Sequence, residues 1–360
     1  MKILYVSWKS SAGGLATTLR SRILALRAAG IQADLLFVQK GDGEYLFDKI
    51  SYRYVRSKEH FREIVKRGNY DFISFIFTTE YIPYVPRSFK GKILFEVRGW
   101  SNYVKEQMRR IGQDGKVDAV LCIAKYLVPL CKKELKKPIP IYVDSNTVHP
   151  MFRFVPPAER TSELVPKPQS GAKAIGFVGR IDKTKNWREF VKICTRVAET
   201  ENIEMWFMFH PNSSRDYNEL VKVCSSGPLK HKTRMVGFVP NHVMPEIYSA
   251  IKSSGGCLLT ASVMEGLGNS VLEPMACGLP VVSSDIPGKN EVITRGRENG
   301  SLYPLGDIQK GAAMVKKMLN NTEWRRKVIK NGIKTINKHF RDSGYVSRYL
   351  AILAKIKKAQ

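Results

Sequence analysis

The feature that most constrains the fold of this 360-residue chain is a repeated alternation of short apolar runs with longer amphipathic stretches. Strands buried on both faces of a parallel sheet read as continuous apolar runs, and helices connect them. The predicted strands are residues 3–7, 33–38, 72–77, 93–97, 119–123, 139–143, 174–178, 203–209, 234–238, 256–260 and 281–284. The predicted helices include residues 17–29, 125–136, 187–199, 244–253, 270–277, 307–320 and 345–358. The alternation therefore predicts an α/β protein with parallel sheets and helices on both faces.

The strands fall into two series, and a polar stretch with four prolines, residues 154–171, lies between them. We predict an N-terminal doubly wound domain over residues 1–155, a linker over 156–171 and a second doubly wound domain over 172–342. Residues 343–360 are predicted to form a final helix that packs back on the first domain. Since ligands bind beyond the carboxyl ends of the strands in such sheets, the two domains are expected to face a cleft and share one site.

Charge and composition limit the classes of function. The formal net charge of +27 attracts polyanions such as nucleic acid, anionic lipid or an acidic polymer, and charge alone does not choose between them. The N-terminus lacks the pattern of a signal peptide, and no apolar stretch is long enough to span a membrane. The six cysteines show neither C-x-x-C spacing nor histidines at ligand distance, which predicts reduced thiols in a cytoplasmic protein without a zinc site.

The segment 264–277, with the sequence MEGLGNSVLEPMAC, carries the densest chemical information. Glu265 and Glu273 flank a turn that contains Gly266 and Gly268 and leads from a predicted strand into a predicted helix. Backbone amides at a helix start attract anions, whereas a carboxylate beside them accepts hydrogen bonds from hydroxyl groups. The segment therefore predicts a pocket for a sugar attached to a phosphate.

A structural interpretation of the same segment stays open at this point. Ser270 and Glu273 fit the S-x-x-E capping box, in which both side chains bind free amides at the start of a helix. Glu265 has no place in a capping box, and two glycines within three residues are more than a simple turn requires. These two observations favour the ligand-binding interpretation.

Cationic groups follow the predicted strand 174–178. Gly179 and Arg180 come directly after it, and Lys185 lies five residues beyond Arg180. Fixed cations at the carboxyl end of a strand stabilise the negative charge that develops on a diphosphate leaving group. Taken alone, both are more simply solvated loop cations in a basic chain, whereas beside the Glu265–Glu273 turn the diphosphate role is favoured.

Two further groups follow strands of the first domain. Gly13 and Gly14 form a turn that opens a helix, and this turn permits close approach of a ligand to the backbone. It is not the G-x-G-x-x-G of a dinucleotide site. Glu96 and Arg98 end the fourth predicted strand, where mutual pairing is the simpler interpretation. The chain has no D-x-D or other clustered carboxylates, so we expect no catalytic divalent metal and no cofactor.

Taken together, these segments resemble the GT-B glycosyltransferases of glycosyltransferase family 4. Glu265 to Glu273 matches the E-x(7)-E motif of that family, Gly179-Arg180 with Lys185 matches G-R-x(4)-K, and Gly13-Gly14 matches the turn after strand one. The resemblance covers nearly the whole chain and is densest over residues 179–293. It implies two Rossmann-like domains and a retaining transfer from a nucleotide sugar, usually UDP- or GDP-linked, to a lipid-linked or polysaccharide acceptor.

The resemblance also implies roles for individual residues. Glu273 would hold the ribose hydroxyls, and Glu265 would hold the donor sugar. The segment Gly266, Leu267, Gly268, Asn269 and Ser270 would meet the sugar and phosphates. Arg180 and Lys185 would clamp the diphosphate, and together with Glu265 they are the predicted catalytic residues.

Arg98 stands where many members of the family have a histidine, and we assign it to the site, near either the donor sugar or an acidic acceptor. Two other functions were weighed: a basic nucleic-acid-binding protein on a doubly wound scaffold, and a nucleotide-sugar epimerase. Aromatic platforms that stack bases are not evident in the basic segments, which argues against nucleic acid as the physiological partner. The basic segments 62–67, 108–116 and 132–137 predict peripheral contact with the anionic inner face of the membrane.

Overall fold

The computed structural model describes residues 1–114, 116–294 and 296–358. The chain divides into two compact units. Unit 1 contains residues 1–149 and 340–360, and unit 2 contains residues 150–339. No helix of the described residues combines the length and the apolar content that crossing a membrane requires.

The strands and helices alternate along the chain as the apolar runs predict. The strands are β1 Lys2–Lys9, β2 Gln32–Gln39, β3 Tyr52–Tyr54, β4 Phe72–Ile76, β5 Lys92–Val97, β6 Ala119–Cys122, β7 Ile141–Val143, β8 Lys173–Val178, β9 Ile203–Met208, β10 Thr233–Gly237, β11 Cys257–Thr260, β12 Val281–Ser284 and β13 Ser301–Tyr303. The helices are α1 Gly14–Ala28, α2 Lys58–Gly68, α3 Asn102–Asp114, α4 Leu127–Glu134, α5 Trp187–Ala198, α6 Tyr217–Cys224, α7 Met244–Ser253, α8 Asn269–Ala276, α9 Lys289–Val292, α10 Ile308–Asn320, α11 Thr322–His339 and α12 Asp342–Lys358.

Both units have a parallel sheet that is wound in two directions from its middle. Within the described residues, the sheet of unit 1 has the order β3-β2-β1-β4-β5-β6-β7, and that of unit 2 has the order β10-β9-β8-β11-β12-β13. The pairs in both sheets are parallel. The prediction of two doubly wound α/β domains is therefore confirmed. The strand order reverses between β1 and β4 in unit 1 and between β8 and β11 in unit 2, and such a switch point is where ligands bind in open parallel sheets.

Burial explains why the central strands were predictable from the sequence. β4 and β9 are buried along their whole length, and their side chains belong to apolar cores that include helices from the faces of each sheet. The edge strands β3 and β13 have only three residues each and were not predicted. β7 begins at Ile141 rather than residue 139, because Pro140 has no amide hydrogen to give to a ladder.

The predicted linker does not separate the units. The chain passes from unit 1 to unit 2 between His149 and Pro150, and residues 156–171 belong to unit 2. Their backbone and side chains are tied to α7: Arg160 donates to the carbonyl of Ser249 at 3.0 Å, and the amide of Thr161 donates to the carboxylate of Glu246 at 3.0 Å. Proline content indicated an irregular segment correctly, but it does not show whether such a segment is packed.

The last helix returns to unit 1. The chain leaves unit 2 between His339 and Phe340, and α12 packs beside α1. Tyr345 and Tyr349 of α12 are fully buried, and the hydroxyl of Tyr345 accepts a hydrogen bond from Nε of Arg22 at 2.9 Å. The final element of the chain thus completes the core of the unit that contains the first.

Candidate active site

The loop after β8 places Lys185 at the switch point of unit 2. Gly179 has a φ of +142°, which favours glycine, and a Cβ there would lie 3.0 Å from the aliphatic carbons of Lys185. Glycine therefore lets the Lys185 side chain run along the backbone. Asp182 shapes the loop, since its carboxylate accepts from the amide of Lys185 at 2.9 Å and from Nε of Arg180 at 2.7 Å. The Arg180 side chain is half exposed.

The loop after β11 brings Glu265 to Lys185. Nζ of Lys185 lies 2.5 Å from Oε1 of Glu265, and the two side chains are 19% and 13% exposed. Ser262 donates a second hydrogen bond to the same oxygen at 2.9 Å. The two loops are joined directly, because the amide of Val263 donates to the carbonyl of Thr184 at 2.9 Å. Burial alone would raise the pKa of Glu265, but the nearby lysines outweigh it, and the pKa lies below its usual value.

Helix α8 begins directly after this loop, at Asn269. Gly268 occupies the N-cap position with a φ of +80° and provides no side chain to bind the free amides. The capping-box interpretation of Ser270 and Glu273 is therefore wrong: Ser270 lies inside the first turn, and no side chain caps the helix. Oγ of Ser270 is buried without a hydrogen-bond partner. The first turn of α8 thus presents amides and a hydroxyl beside Glu265.

Glu273 lies one turn further along α8 and faces α7. The hydroxyl of Tyr248, itself fully buried, is 3.5 Å from the Glu273 carboxylate, at the outer limit of a hydrogen bond. Burial raises the pKa of Glu273 to about 8, and the contact with Tyr248 offsets this only in part. A carboxyl group whose pKa is raised in this way is typical of functional sites.

Lys289 is a residue of this region that sequence reasoning missed. It follows β12, is 0% exposed, and its Nζ donates to Oγ1 of Thr260 at 2.8 Å. Burial lowers the pKa of Lys289 to about 7. In the sequence, the segment Pro-Gly-Lys-Asn-Glu is typical of a polar turn. The signal that could have pointed to Lys289 was the position of this turn after a buried strand. Among the described residues, no cluster of three His, Cys, Asp or Glu side chains is arranged to hold a metal ion.

The glycine turn of unit 1 lies after β1, also at a switch point. Gly13 is the N-cap of α1 with a φ of +131°, Gly14 is the first residue of the helix, and the amide of Thr17 donates to the carbonyl of Gly13 at 3.1 Å. The turn opens a helix as the sequence indicated. A ligand-binding role for these glycines stays a prediction.

Arg98 is part of a buried network of charges in unit 1. Its Nε donates to Glu96 at 2.7 Å, and its Nη2 donates to Asp144 at 2.6 Å. Arg22 completes the network with bonds to Glu96 at 2.7 Å and to Asp144 at 2.9 Å. The hypothesis that Glu96 and Arg98 pair is confirmed. Because the guanidinium is engaged by protein carboxylates, a role of Arg98 in binding the donor stays a prediction.

The sequence of unit 2 matches a family model. Residues 161–335 match the model for glycosyl transferases group 1. Over these residues the chain is similar to the group 1 glycosyltransferases. The match includes the β8–α5 loop, the β11–α8 loop and Lys289, so all of the site residues found in unit 2 lie within the matched residues.

Two curated relatives share sequence with part of this chain. The 2-deoxystreptamine glucosyltransferase of Streptomyces kanamyceticus is 30% identical over 164 residues, which are 45% of this chain and 40% of that protein. The O-antigen chain mannosyltransferase B of Escherichia coli is 29% identical over 157 residues, 44% of this chain and 39% of that protein. The chain thus matches about two-fifths of the length of these relatives.

The fold extends over a longer stretch than the sequence similarity. The crystal structure of HepE from Anabaena in complex with UDP-glucose superposes with a TM-score of 0.81 over 99% of this chain and 100% of that chain, at 15% identity. The two parallel-sheet units therefore have the GT-B fold, as predicted.

Proposed function

We propose that this protein is a retaining glycosyltransferase that moves a sugar from a UDP- or GDP-linked donor to a glycan acceptor, either lipid-linked or part of a polysaccharide. The observation that carries the proposal is the Lys185–Glu265 pair, held at 2.5 Å beside the uncapped start of α8. At one switch point, a cation and the amides of a helix start can bind the diphosphate, and a carboxylate can bind the sugar hydroxyls. The match to the group 1 family supports the same conclusion.

The chemical roles follow from charge and position. Glu265 accepts hydrogen bonds from hydroxyls of the donor sugar, and Glu273 accepts them from the ribose. The amides from Gly266 to Ser270 bind phosphate oxygens at the positive end of α8. Lys185 and Arg180 stabilise the charge that develops on the diphosphate as its bond to the sugar breaks.

The proposed reaction uses protein cations and needs neither a metal nor another cofactor. Arg180 and Lys185 carry the two positive charges that a bound divalent ion supplies in other sites. Turnover is expected to be unchanged when a chelator such as EDTA is added at concentrations that remove free divalent ions. Loss of turnover with EDTA, restored by added magnesium, would contradict this part of the proposal.

The test of the function is transfer or donor hydrolysis with a panel of UDP-, GDP-, ADP- and TDP-sugars. UDP-glucose is the first to use, because HepE has been crystallised with it. Glu265→Gln and Glu273→Gln should lose most of the turnover while they remain folded. Glu199→Gln is the matched control, since Glu199 is a half-exposed carboxylate of the same unit that pairs with Arg196.

Two outcomes would overturn the function. A wild-type protein whose melting temperature no nucleotide sugar raises would argue against donor binding, because a ligand that binds the native state stabilises it. Conversion of one nucleotide sugar into another, without release of the nucleotide, would indicate an epimerase instead.

We further propose that the protein works in the cytoplasm, at the inner face of the membrane, in the synthesis of a cell-envelope or surface glycan. The exposed cations Arg62 and Arg67 of α2, Arg109 and Arg110 of α3, and Lys132 of α4 support contact with anionic lipid. Each exposed cation near such a surface contributes about 1 kcal/mol. Vesicles with anionic lipid should co-sediment the protein at low salt and neutral vesicles should not; equal recovery with both would remove the proposal.

A further inference from the structure

Lys289 is a fully buried lysine for which the proposed reaction has assigned no role. It is 0% exposed and lies beside Gly268: a Cβ added at Gly268 would be 3.7 Å from Cγ of Lys289. Burying an ammonium group costs free energy unless other groups compensate. An apolar side chain at this position would avoid that cost, so the presence of a lysine here points to a specific role for its charge.

The hydrogen bonds of Lys289 lead towards Glu265. Nζ donates to Oγ1 of Thr260 at 2.8 Å, and this oxygen lies 3.5 Å from Oγ of Ser262. Ser262 in turn donates to Oε1 of Glu265 at 2.9 Å. The hydroxyls of Thr260 and Ser262 can each accept a hydrogen bond from the direction of Lys289 and donate one towards Glu265. The hydrogen bonds in this series therefore polarise one another in the same direction.

The charged groups around Lys289 come from three elements. Glu265 faces it from the β11–α8 loop, Lys185 from the β8–α5 loop and Glu189 from α5. The strands contribute uncharged partners: Thr260 of β11 and Ser284 of β12, whose Oγ lies 3.4 Å from Nζ. Ser284 also donates to the carbonyl of Ser262 at 2.8 Å, so the same cluster fixes the backbone of the loop that carries Glu265.

We propose that Lys289 is a positioning residue for Glu265, which acts through the hydroxyls of Thr260 and Ser262 to hold the carboxylate ionised and directed at the donor sugar. The assignment of the donor sugar to Glu265 rests on the proposed function, whereas the link between Lys289 and Glu265 rests on the contacts alone. Lys185 binds the carboxylate from the solvent side, and Lys289 supports it from inside the domain.

Kinetics test the effect on the reaction. Lys289→Met keeps the volume of the stem and removes the charge, and it should lower kcat by up to about 100-fold, because small displacements of a group that orients the substrate have effects of that size. The ratio of wild-type to variant kcat should shrink as the pH rises through about 7, where burial lets the wild-type ammonium lose its proton. A purely structural lysine would not produce this pH dependence.

A titration of Glu265 tests the link without any turnover. The carboxyl ¹³C signal of Glu265, assigned by its loss in Glu265→Gln, should report a higher pKa in Lys289→Met than in the wild type. Thr260→Val, which removes the intermediate hydroxyl and preserves the shape of the side chain, should raise the pKa of Glu265 in the same direction. Lys252→Met is the matched control, because Lys252 is a half-buried lysine of unit 2 with a lowered pKa at the far end of α7.

The two arms separate the possible failures. An unchanged pKa of Glu265 in both Lys289→Met and Thr260→Val would overturn the positioning role. If the titration shifts as expected while the wild type transfers no sugar from any donor, the proposed function is wrong and the link between Lys289 and Glu265 stands. Should Lys289→Met fail to fold, Thr260→Val alone decides.

Discussion

Each unit buries a cluster of charged side chains near the carboxyl end of its sheet, and the two clusters are compensated differently. In unit 1, Arg22 and Arg98 each bond to both Glu96 and Asp144. Burial alone would raise the pKa of Glu96, but the two arginines hold it at about 2. The cluster holds two arginines and two carboxylates, and their salt bridges stabilise Arg22, Arg98 and Glu96 in their charged forms.

The cluster of unit 2 is compensated less completely. Glu265 has Lys185 as its direct partner, whereas the Glu273 carboxylate lies 3.5 Å from the hydroxyl of Tyr248. Burial raises the pKa of Glu273 to about 8 and lowers that of Lys289 to about 7. Side chains whose pKa values are shifted so that burial disfavours their charged forms are concentrated at functional sites. The contrast favours a role of the first cluster in the fold and, under the proposed function, a role of the second in binding a substrate.

The largest expected effect would come from breaking the compensated cluster. Arg22→Met leaves Glu96 and Asp144 buried with one arginine between them, and it should lower the free energy of unfolding by about 3–5 kcal/mol. Urea denaturation followed by a probe in unit 1 measures the loss. A loss below about 1 kcal/mol would contradict the view that this cluster maintains the fold.

The next effect concerns the reaction. Lys185→Met removes the cation beside Glu265 and should lower the transfer rate by about 100- to 1000-fold, as loss of one group that stabilises transition-state charge does. The rate is compared at equal folded fraction, because Lys185 and Glu265 are largely buried and loss of their pair also affects stability. Lys183→Met, an exposed lysine of the same loop, is the control and should retain the wild-type rate.

A smaller effect should appear as increased stability. The pKa of Glu273 rises from 4.5 to about 8 on folding, so between these values the folded state holds a proton that the unfolded state has released. Stability therefore falls as the pH rises through this window. Glu273→Gln removes this penalty and should raise the free energy of unfolding by about 0.5–2 kcal/mol at pH 8, with a smaller gain at pH 5.

Glu96→Gln provides the opposite case for the same measurement. The pKa of Glu96 falls from 4.5 to about 2 on folding, so its contribution is complete above pH 4.5 and is lost as the pH falls through about 2. Glu96→Gln should therefore destabilise the protein at both pH 5 and pH 8. Melting curves in which both variants change stability in the same direction at pH 8 would remove the distinction between the clusters.

The smallest effect should come from an exposed ion pair. Arg196 and Glu199 of unit 2 lie 2.9 Å apart and are each about half exposed. Arg196→Met should change the free energy of unfolding by about 1 kcal/mol or less, because solvent screens such pairs. Urea denaturation of Arg196→Met and Arg22→Met under the same conditions measures the difference. A comparable loss of stability in both variants would show that burial does not explain the effect of Arg22→Met.

The local chemistry of the strands was largely readable in the sequence. The apolar runs predicted β8 and β11 to within one residue at either end, because strands buried on both faces need continuous apolar side chains. Their position in a parallel sheet then placed the glycine turn, the cations and Glu265 at one edge. The edge strands β3 and β13 were missed because three residues are too few to form a recognisable apolar run.

Helices with many charges were harder to predict. The segments 62–67 and 108–116 were interpreted as basic surface, and the described part of both lies within or beside the amphipathic helices α2 and α3. Their apolar residues bury one face, and the cations lie on the other. Residue 115 of the second segment lies outside the described residues.

The sequence by itself determined the alternation of strands and helices, the two series, and the residue types that follow β8 and β11, because each depends on neighbours along the chain. Only the tertiary structure decided that Gly268 rather than Ser270 stands at the N-cap position of α8, that Arg160 and Thr161 bind α7, and that Lys289 lies inside the domain. Burial and charge compensation depend on groups brought together from distant parts of the chain. Lys185 and Glu265 are 80 residues apart in sequence and 2.5 Å apart in space, and no local pattern contains that distance.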